Sequence, residues 1–491
     1  MANEKKELMD PSNAKASHFT EVTRDKTENL MGKIISLCKR RGFVYPASEI
    51  YGGFANAFDF GPLGSQMKKN IKDYWWKKFV IGENNIVGLD SAIIQNPKTW
   101  EASGHLTAFT DPLVECKKCH RRFRADHVEE LNSQFSISNF QSISKDQISK
   151  LSTEQREMLI CPNGNGHDFT EAKEFNLMFK TFVGVNEDTA STAYLRPETA
   201  QGIFLNFKNV IQSTRIKPPF GIAQIGKAFR NEITPGNFIF RTLEFEQMEI
   251  EFFVEASLEE SAKWYQTWIN KSKEFYKEIG VKEQNLTIRE HEKKELSHYS
   301  AGTSDIEYKF PFGVSELSGI AQRTDYDLKQ HETVSGQDLK YFDDISGKKY
   351  LPYVIEPSFG VDRAMLACLV DAYDESDGSD GREKGEVTLR LDPKVAPVKV
   401  AVFPLMKKEG LPDIAKKIAD ELRGAGIAIF YDESGSVGRR YRRQDEIGTP
   451  WCVTVDFDSL KDNTVTLRDR DTMKQERIEI SKIRSYLSGK L

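Results

Sequence analysis

From Ala228 to Phe253 the chain reads AFRNEITPGNFIFRTLEFEQMEIEFF. Two runs of mixed polar and apolar residues flank a loop containing Thr234, Pro235, Gly236 and Asn237, and this pattern predicts two strands joined by a turn. Residues two apart on a strand share a face, so Arg230 is expected beside Glu232. Arg241 stands at the loop's return, and Glu244, Glu246 and Glu249 follow it. A guanidinium makes forked, charge-assisted hydrogen bonds to phosphate oxygens and stabilises charge that develops when a carboxylate attacks a phosphoryl centre. Phe245 offers a flat face to a base. On charge pattern alone, an amphipathic hairpin with a surface ion-pair ladder accounts for the stretch equally well.

A chain of 491 residues is too long for one core and implies two to four domains. The net charge of −5 and pI near 6.0 do not announce a nucleic-acid binder, although a whole-chain average can conceal a local basic face. A composition 39% hydrophobic and 29% charged describes a soluble globular protein. The opening MANEKKELMD has no apolar run, and no segment approaches the roughly 18 apolar residues of a membrane span. Six scattered cysteines do not make a disulfide scaffold. A cytoplasmic protein with no membrane partner is the expectation.

Along the chain, helices are expected at residues 28–41, 65–80, 257–280 and 361–372, and strands at 86–94, 175–185 and 353–355. The aromatic cluster Tyr74, Trp75, Trp76 and Phe79 reads as a packing face. Residues 115–173 turn polar and serine-rich, as an insertion would. The run DESDGSDGREKGE (374–386) is the clearest linker, and the boundary between domains is set at 386–396. A strand–helix–strand alternation after Pro397 marks a compact α/β domain. The expected divisions are 1–114, 115–173, 174–385, 386–396 and 397–491.

Asp59-Phe60-Gly61 matches the metal-binding triplet of protein kinases but lacks the glycine-rich and catalytic loops that accompany it. No G-x-x-x-x-G-K-[ST] loop, dinucleotide fingerprint or H-E-x-x-H helix occurs. The order of Pro97 after a helix and strand, the Arg230 hairpin, and Gly360-Val361-Asp362-Arg363 resembles the three signature motifs of class II aminoacyl-tRNA synthetases. WEASGH (Trp100–His105), LRPETAQGIF (Leu195–Phe204), FRNE (Phe229–Glu232), FEQME (Phe245–Glu249) and EPS-G-DR (Glu356–Arg363) resemble the homodimeric glycyl-tRNA synthetases of that family over nearly the whole chain. The resemblance implies an α+β fold: a catalytic core with a central antiparallel sheet flanked by helices, and a C-terminal α/β anticodon-binding domain.

It further implies ATP with Mg²⁺ on that sheet. Arg230 would hold the α-phosphate and the attacking carboxylate, and Arg363 the γ-phosphate. Phe240, Arg241, Thr242, Leu243, Glu244 and Phe245 would enclose adenine, with Glu232 accepting from its exocyclic amine. Asn231, Gly360, Val361 and Asp362 complete the ATP set, and Glu316 with Leu317 would line the metal and ribose side. Glu198, Glu249, Glu356 and Ser358 resemble the family's ammonium-binding group, in which empty-site carboxylates crowd one another and some pKa values rise. Arg323 is the candidate for the substrate carboxylate, and Lys98 resembles a further contact. Phe245, Glu246, Gln247, Met248 and Gly360 line the remainder of the glycine site. The implied partners are glycine, ATP, tRNA(Gly) and a second copy of the chain, through the motif-like 65–97 region. Alternatives are a threonine-, proline- or histidine-type class II synthetase, and a non-catalytic nucleic-acid-binding protein of the same fold.

Cys116-x-x-Cys119 is half of a zinc site, whereas Cys161-Pro-Asn-Gly164 lacks the matching cysteine. With His167 as substitute the spacing is irregular, so no metal ligand is assigned, and Zn²⁺ stands as the alternative to a degenerate site. Beyond Pro397, Lys and Arg outnumber Asp and Glu by 18 to 15. Arg439, Arg440, Tyr441, Arg442 and Arg443 gather the cations and aromatic surface suited to phosphates and single-stranded bases, making them the candidate tRNA contacts.

Overall fold

The computed structural model describes residues 26–117, 120, 122–124, 170, 173–185, 187, 191–232, 236–292, 300–408 and 410–490. Seven strands build the larger sheet: β1 (Ile86–Gly88), β2 (Phe220–Phe229), β3 (Glu244–Val254), β4 (Leu286–Glu290), β5 (Gly302–Phe310), β6 (Gly313–Thr324) and β7 (Tyr353–Gly360). Their order is β4–β5–β6–β7–β3–β2–β1, antiparallel throughout except for β1 beside β2. The last strand to form in sequence, β7, therefore lies at the centre, between β6 and β3.

Alternation assigns the two faces. Met248, Ile250 and Phe252 of β3, with Ile355 and Phe359 of β7, enter the main core against helices α1 (Lys26–Arg41), α2 (Pro62–Trp76), α4 (Leu258–Glu278) and α6 (Val361–Ala372). The expected aromatic packing face is there: Trp75 and Phe79 are buried, with ring centroids 5.6 Å apart, and Phe79 lies 5.7 Å from Phe359 and 5.9 Å from Phe275. Gly64 is required in α2 because a Cβ there would stand 1.9 Å from the Phe43 carbonyl oxygen. The opposite face carries Gln247, Glu249 and Glu251 of β3 with Glu356 and Ser358 of β7. At one end it closes on α3 (Ala200–Thr214) through Phe204, Phe207, Phe220 and Phe253, with α5 (Tyr326–Ser335) beside α3. The rest of that face is a cleft.

A second sheet has its own core. Strands β8 (Val400–Pro404), β9 (Ile429–Tyr431), β10 (Trp451–Val455), β11 (Thr464–Asp469) and β12 (Gln475–Glu479) run in the order β9–β8–β10–β11–β12, parallel for the first three and antiparallel thereafter. Helices α7 (Leu411–Gly424) and α8 (Val437–Asp445) belong to this unit. Arg40 and Arg41 at the end of α1 pair with Glu446, which follows α8.

Local departures from the sequence expectations have local causes. The strand expected over 86–94 ends at Gly88, and Asn96 then caps a helix over Pro97–Ala102, its side chain accepting from the Lys98 amide at 3.0 Å. The 175–185 run splits into strands Lys173–Asn176 and Lys180–Phe182 because Asn176 accepts from the Met178 amide and donates to the His105 and Leu106 carbonyls. Leu177 and Met178 are buried, but Phe182, Val183 and Val185 are exposed, so that run is only half core. The glycine- and charge-rich stretch read as the clearest linker is ordered: Tyr373–Glu375 pairs with Val387–Leu389, and Arg382 is buried and donates to the Arg470 carbonyl at 2.6 Å. Leu389, Leu391, Val395 and Ala396 join the main core, so the expected linker is packed rather than extended. No helix among the described residues is long and apolar enough to cross a membrane.

Candidate active site

The register of β3 against β7 places Gln247 opposite Gly360 and Glu249 opposite Ser358, so both strands point polar side chains into the same cleft of about 220 Å³. At its deep end Glu249 accepts from four donors: the Thr199 amide (2.9 Å), the Thr199 hydroxyl, Gln247 Nε2 (2.9 Å) and Ser358 Oγ (2.7 Å). Burial and then the neighbouring Glu198 raise its pKa despite those bonds. Glu198 accepts from Gln201 Nε2 at 3.0 Å and faces His105 Nε2 at 3.4 Å. Burial opposes its charge, but His105 and Arg323 hold its carboxyl below the usual range. Glu356, bonded by Arg323 Nη1 at 2.8 Å, is nevertheless raised to about 8, because burial outweighs Arg323 and Glu249 and Glu198 add repulsion. Three carboxylates and a hydroxyl thus converge on one small volume. That arrangement suits a compact cation able to donate in several directions.

The outer cleft has the opposite character. Arg230 donates through Nε to the Pro197 carbonyl at 3.1 Å, and its guanidinium lies 5.4 Å from the ring centroids of both Phe245 and Phe109. Its terminal nitrogens have no partner among the described residues. Arg363 lies 4.4 Å over the Phe240 ring and reaches the Phe240 and Glu316 carbonyls and the Glu316 carboxylate. The Arg363 guanidinium holds the Glu316 carboxyl below its usual range. Glu232 Oε2 is buried without a partner among the described residues. Phe240, Arg241, Thr242, Phe245 and Leu317 complete this wall. Asp305 and Glu316 approach each other across β5 and β6: a Cβ on Gly319 would stand 3.7 Å from an oxygen of each. His291 Nε2 lies 2.6 Å from Asp305. Two adjacent carboxylates of this kind fit a hard divalent cation.

Several expected site residues lie elsewhere. Arg230 follows the end of β2 at Phe229 and is held by loop contacts rather than sharing a strand face with Glu232. Lys98 is exposed at the start of its short helix and is not part of the cleft. Met248 is buried on the apolar face, because five consecutive strand residues cannot all face one ligand. Glu244 pairs with Lys227, the Leu243 amide bonds the Asn56 carbonyl, the Asn231 amide bonds the Leu177 carbonyl, and Val361 is core, so none of these four lines the cleft. Glu246 and Asp362 do line it, but their carboxylates are joined through Lys68, at 2.9 and 2.5 Å, and Lys72 adds a further pair to Glu246. Arg323 is likewise engaged, with Nε and Nη2 on Asp327 and Nη1 on Glu356, so it braces the pocket's acids instead of standing open for a substrate carboxylate. Sequence reasoning missed His105, Thr199, Gln201, Glu251, Asp305 and Asp327. Two of these carried a signal: Glu251 is two residues beyond Glu249 on the same face, and Asp327 is four beyond Arg323.

Cys116 is buried, whereas Cys119, Cys161 and His167 fall outside the described residues. On α8 the five candidate tRNA contacts separate. Arg440 is buried, donating to the Pro404, Leu405 and Asp432 carbonyls. Tyr441 packs on Phe403 and bonds Thr454, Arg442 pairs with Glu383 and Glu386, and Arg443 pairs with Asp432. Only Arg439, of the five, presents an exposed cation without a described partner. The basic run therefore serves largely to build the second unit and seat it.

An antiparallel sheet whose one face carries arginines above a carboxylate pocket, followed by a separate mixed sheet, is the architecture of a class II aminoacyl-tRNA synthetase. Residues 181–373 match the profile of the "tRNA synthetase class II core domain (G, H, P, S and T)", and residues 399–490 match the "Anticodon binding domain". The chain is 56% identical to the glycine–tRNA ligase of Caldanaerobacter subterraneus subsp. tengcongensis over 94% of this chain and 98% of the relative. It is 55% identical to that of Alkaliphilus oremlandii over 95% and 99%, and 52% identical to that of Bifidobacterium longum over 94% and 93%. The chain belongs to the glycine–tRNA ligase family.

Proposed function

We propose that this chain activates glycine with ATP and transfers the glycyl group to tRNA(Gly). The observation that carries the reading is the continuity of one cleft from the Glu198–Glu249–Glu356 pocket to Arg230 and Arg363. A glycine ammonium held by the three carboxylates and Ser358 directs its carboxylate outward, towards Arg230. One carboxylate oxygen attacks the α-phosphorus, the bond to the bridging oxygen breaks, and pyrophosphate leaves. Arg230 lowers the repulsion between the two anions and stabilises the charge on the transferring group, while Arg363 orients the γ-phosphate. Adenine lies against Phe245, and the unpartnered Glu232 oxygen accepts from its exocyclic amine. Mg²⁺, when bound, neutralises phosphate charge, and Glu316 with Asp305 would hold it. The 3′-terminal ribose hydroxyl of tRNA then attacks the glycyl carbonyl and AMP leaves. No side chain becomes covalently attached, because positioning and electrostatics supply the catalysis.

Around this site we read 1–114 and 174–385 as the catalytic domain, 115–173 as an insertion, and 397–491 as the tRNA-reading domain, working in the cytoplasm as a homodimer through the 65–97 region. Amino-acid-dependent ATP–pyrophosphate exchange tests the reading, with glycine assayed beside alanine, serine, threonine and proline and without tRNA. Exchange with glycine alone is expected. Exchange with another amino acid overturns the three-carboxylate assignment, and none from folded protein overturns the catalytic reading.

A further inference from the structure

Behind the pocket lies a carboxyl group that no step above uses. Glu251 is fully buried, and neither of its carboxylate oxygens has a hydrogen-bond partner among the described residues. The register running from Gln247 opposite Gly360 to Val254 opposite Tyr353 sets Glu251 directly across from Glu356. Carboxyls so placed have Cβ atoms about 5 Å apart, and two like charges there repel through a low-dielectric interior. The remaining charged neighbours are Glu249 on β3, Arg323 on β6 and Asp327 on α5, while β2 offers the apolar Ile222. The one cation among them, Arg323, donates to Glu356 and twice to Asp327. Glu356 therefore has a hydrogen-bonded counter-ion that stabilises its charged form, whereas Glu251 feels Arg323 only through space and its oxygens have no donor among the described residues. Burial first, then Glu356, push Glu251 well above the usual carboxylate range.

We propose that Glu251 is a permanently uncharged residue behind the pocket, keeping its proton when the substrate's ammonium fills the pocket and Glu356 gives up its own. This rests on the glycine pocket described above. Its consequence is a ceiling on pocket charge: the ammonium meets Glu198, Glu249 and Glu356 as its only ionised ligands, and no fourth buried charge is left to demand a second cation.

The test is infrared difference spectroscopy on the whole enzyme at neutral pH, with and without saturating glycine, in the wild type and in Glu251→Gln. Glycine should remove one neutral-carboxyl C=O stretch, that of Glu356, and leave another that disappears in Glu251→Gln. The variant, uncharged and nearly isosteric, should keep its glycine KM within about twofold. A glycine-saturated wild type without any neutral-carboxyl stretch overturns the proposal even if the variant does not fold. So does a surviving stretch in a folded variant, or a tenfold rise in its glycine KM with the ATP KM unchanged, since a charge would then have been removed. Failure of the underlying pocket reading looks different: glycine leaves the wild-type carboxyl spectrum unchanged, and Glu198→Ala retains its glycine affinity.

Discussion

Lowering the pH should weaken glycine binding in a defined way. Glu356 is raised to about 8, chiefly by burial, with Arg323 pulling it down and Glu249 and Glu198 pushing it up. Below that value the empty pocket carries a proton on Glu356, whereas the ammonium complex needs the carboxylate, so binding must expel the proton. Affinity is then highest above pH 8 and falls as pH drops, by about tenfold per unit for one proton, or about 1.4 kcal/mol. Between pH 8, where Glu356 is half protonated, and pH 6 the glycine dissociation constant should rise about fiftyfold, or about 2.3 kcal/mol. Glu249, also raised, steepens the slope where it too is protonated. Calorimetry of glycine binding in two buffers of different ionisation enthalpy gives the constant and the number of protons released together. Pyrophosphate exchange at saturating ATP gives the matching KM. A dissociation constant flat from pH 6 to 8, with no proton released, would show that the pocket is already fully ionised when empty and would refute the account.

Glu198→Ala removes one carboxylate of three and should lower kcat/KM for glycine by at least about thirtyfold, with an unchanged melting transition, as read by exchange and thermal unfolding. Arg230→Ala should depress kcat by about 10²- to 10³-fold, whereas Arg363→Ala should act mainly on the KM for ATP; equal kcat losses in both would undo the division of labour. On α8, Arg440→Ala leaves three carbonyl oxygens without their donor and should destabilise the second unit by about 3 kcal/mol. Arg439→Ala should leave stability within about 0.5 kcal/mol and raise the KM for tRNA severalfold, measured by aminoacylation and denaturant unfolding.

Much of the pocket was legible because strand alternation is a short-range rule. Once 244–254 reads as a strand, Gln247 and Glu249 share a face, and the same rule, applied strictly, excludes Met248 and admits Glu251. Helices with strong apolar periodicity were equally plain, as at 361–372. Strand ends were not, because at Asn176 a side-chain turn, rather than composition, stops the ladder. The run Arg439–Arg443 shows the limit most sharply. Its five residues look alike as a basic cluster, yet helix geometry turns Arg440 into the second unit and leaves Arg439 in solvent.

By itself the sequence determined which chemistry the chain carries: the ordered motifs, the paired arginines and the three acids of the pocket. These are properties of residue type and spacing, and they survive without coordinates. Tertiary structure decided what each group is free to do. It spread Lys68 between Glu246 and Asp362, turned Arg323 from an expected substrate ligand into a brace, and set Glu251 against Glu356. The reason is that charge and protonation depend on burial and on neighbours within a few ångströms, and those neighbours come from strands and helices far apart in the chain.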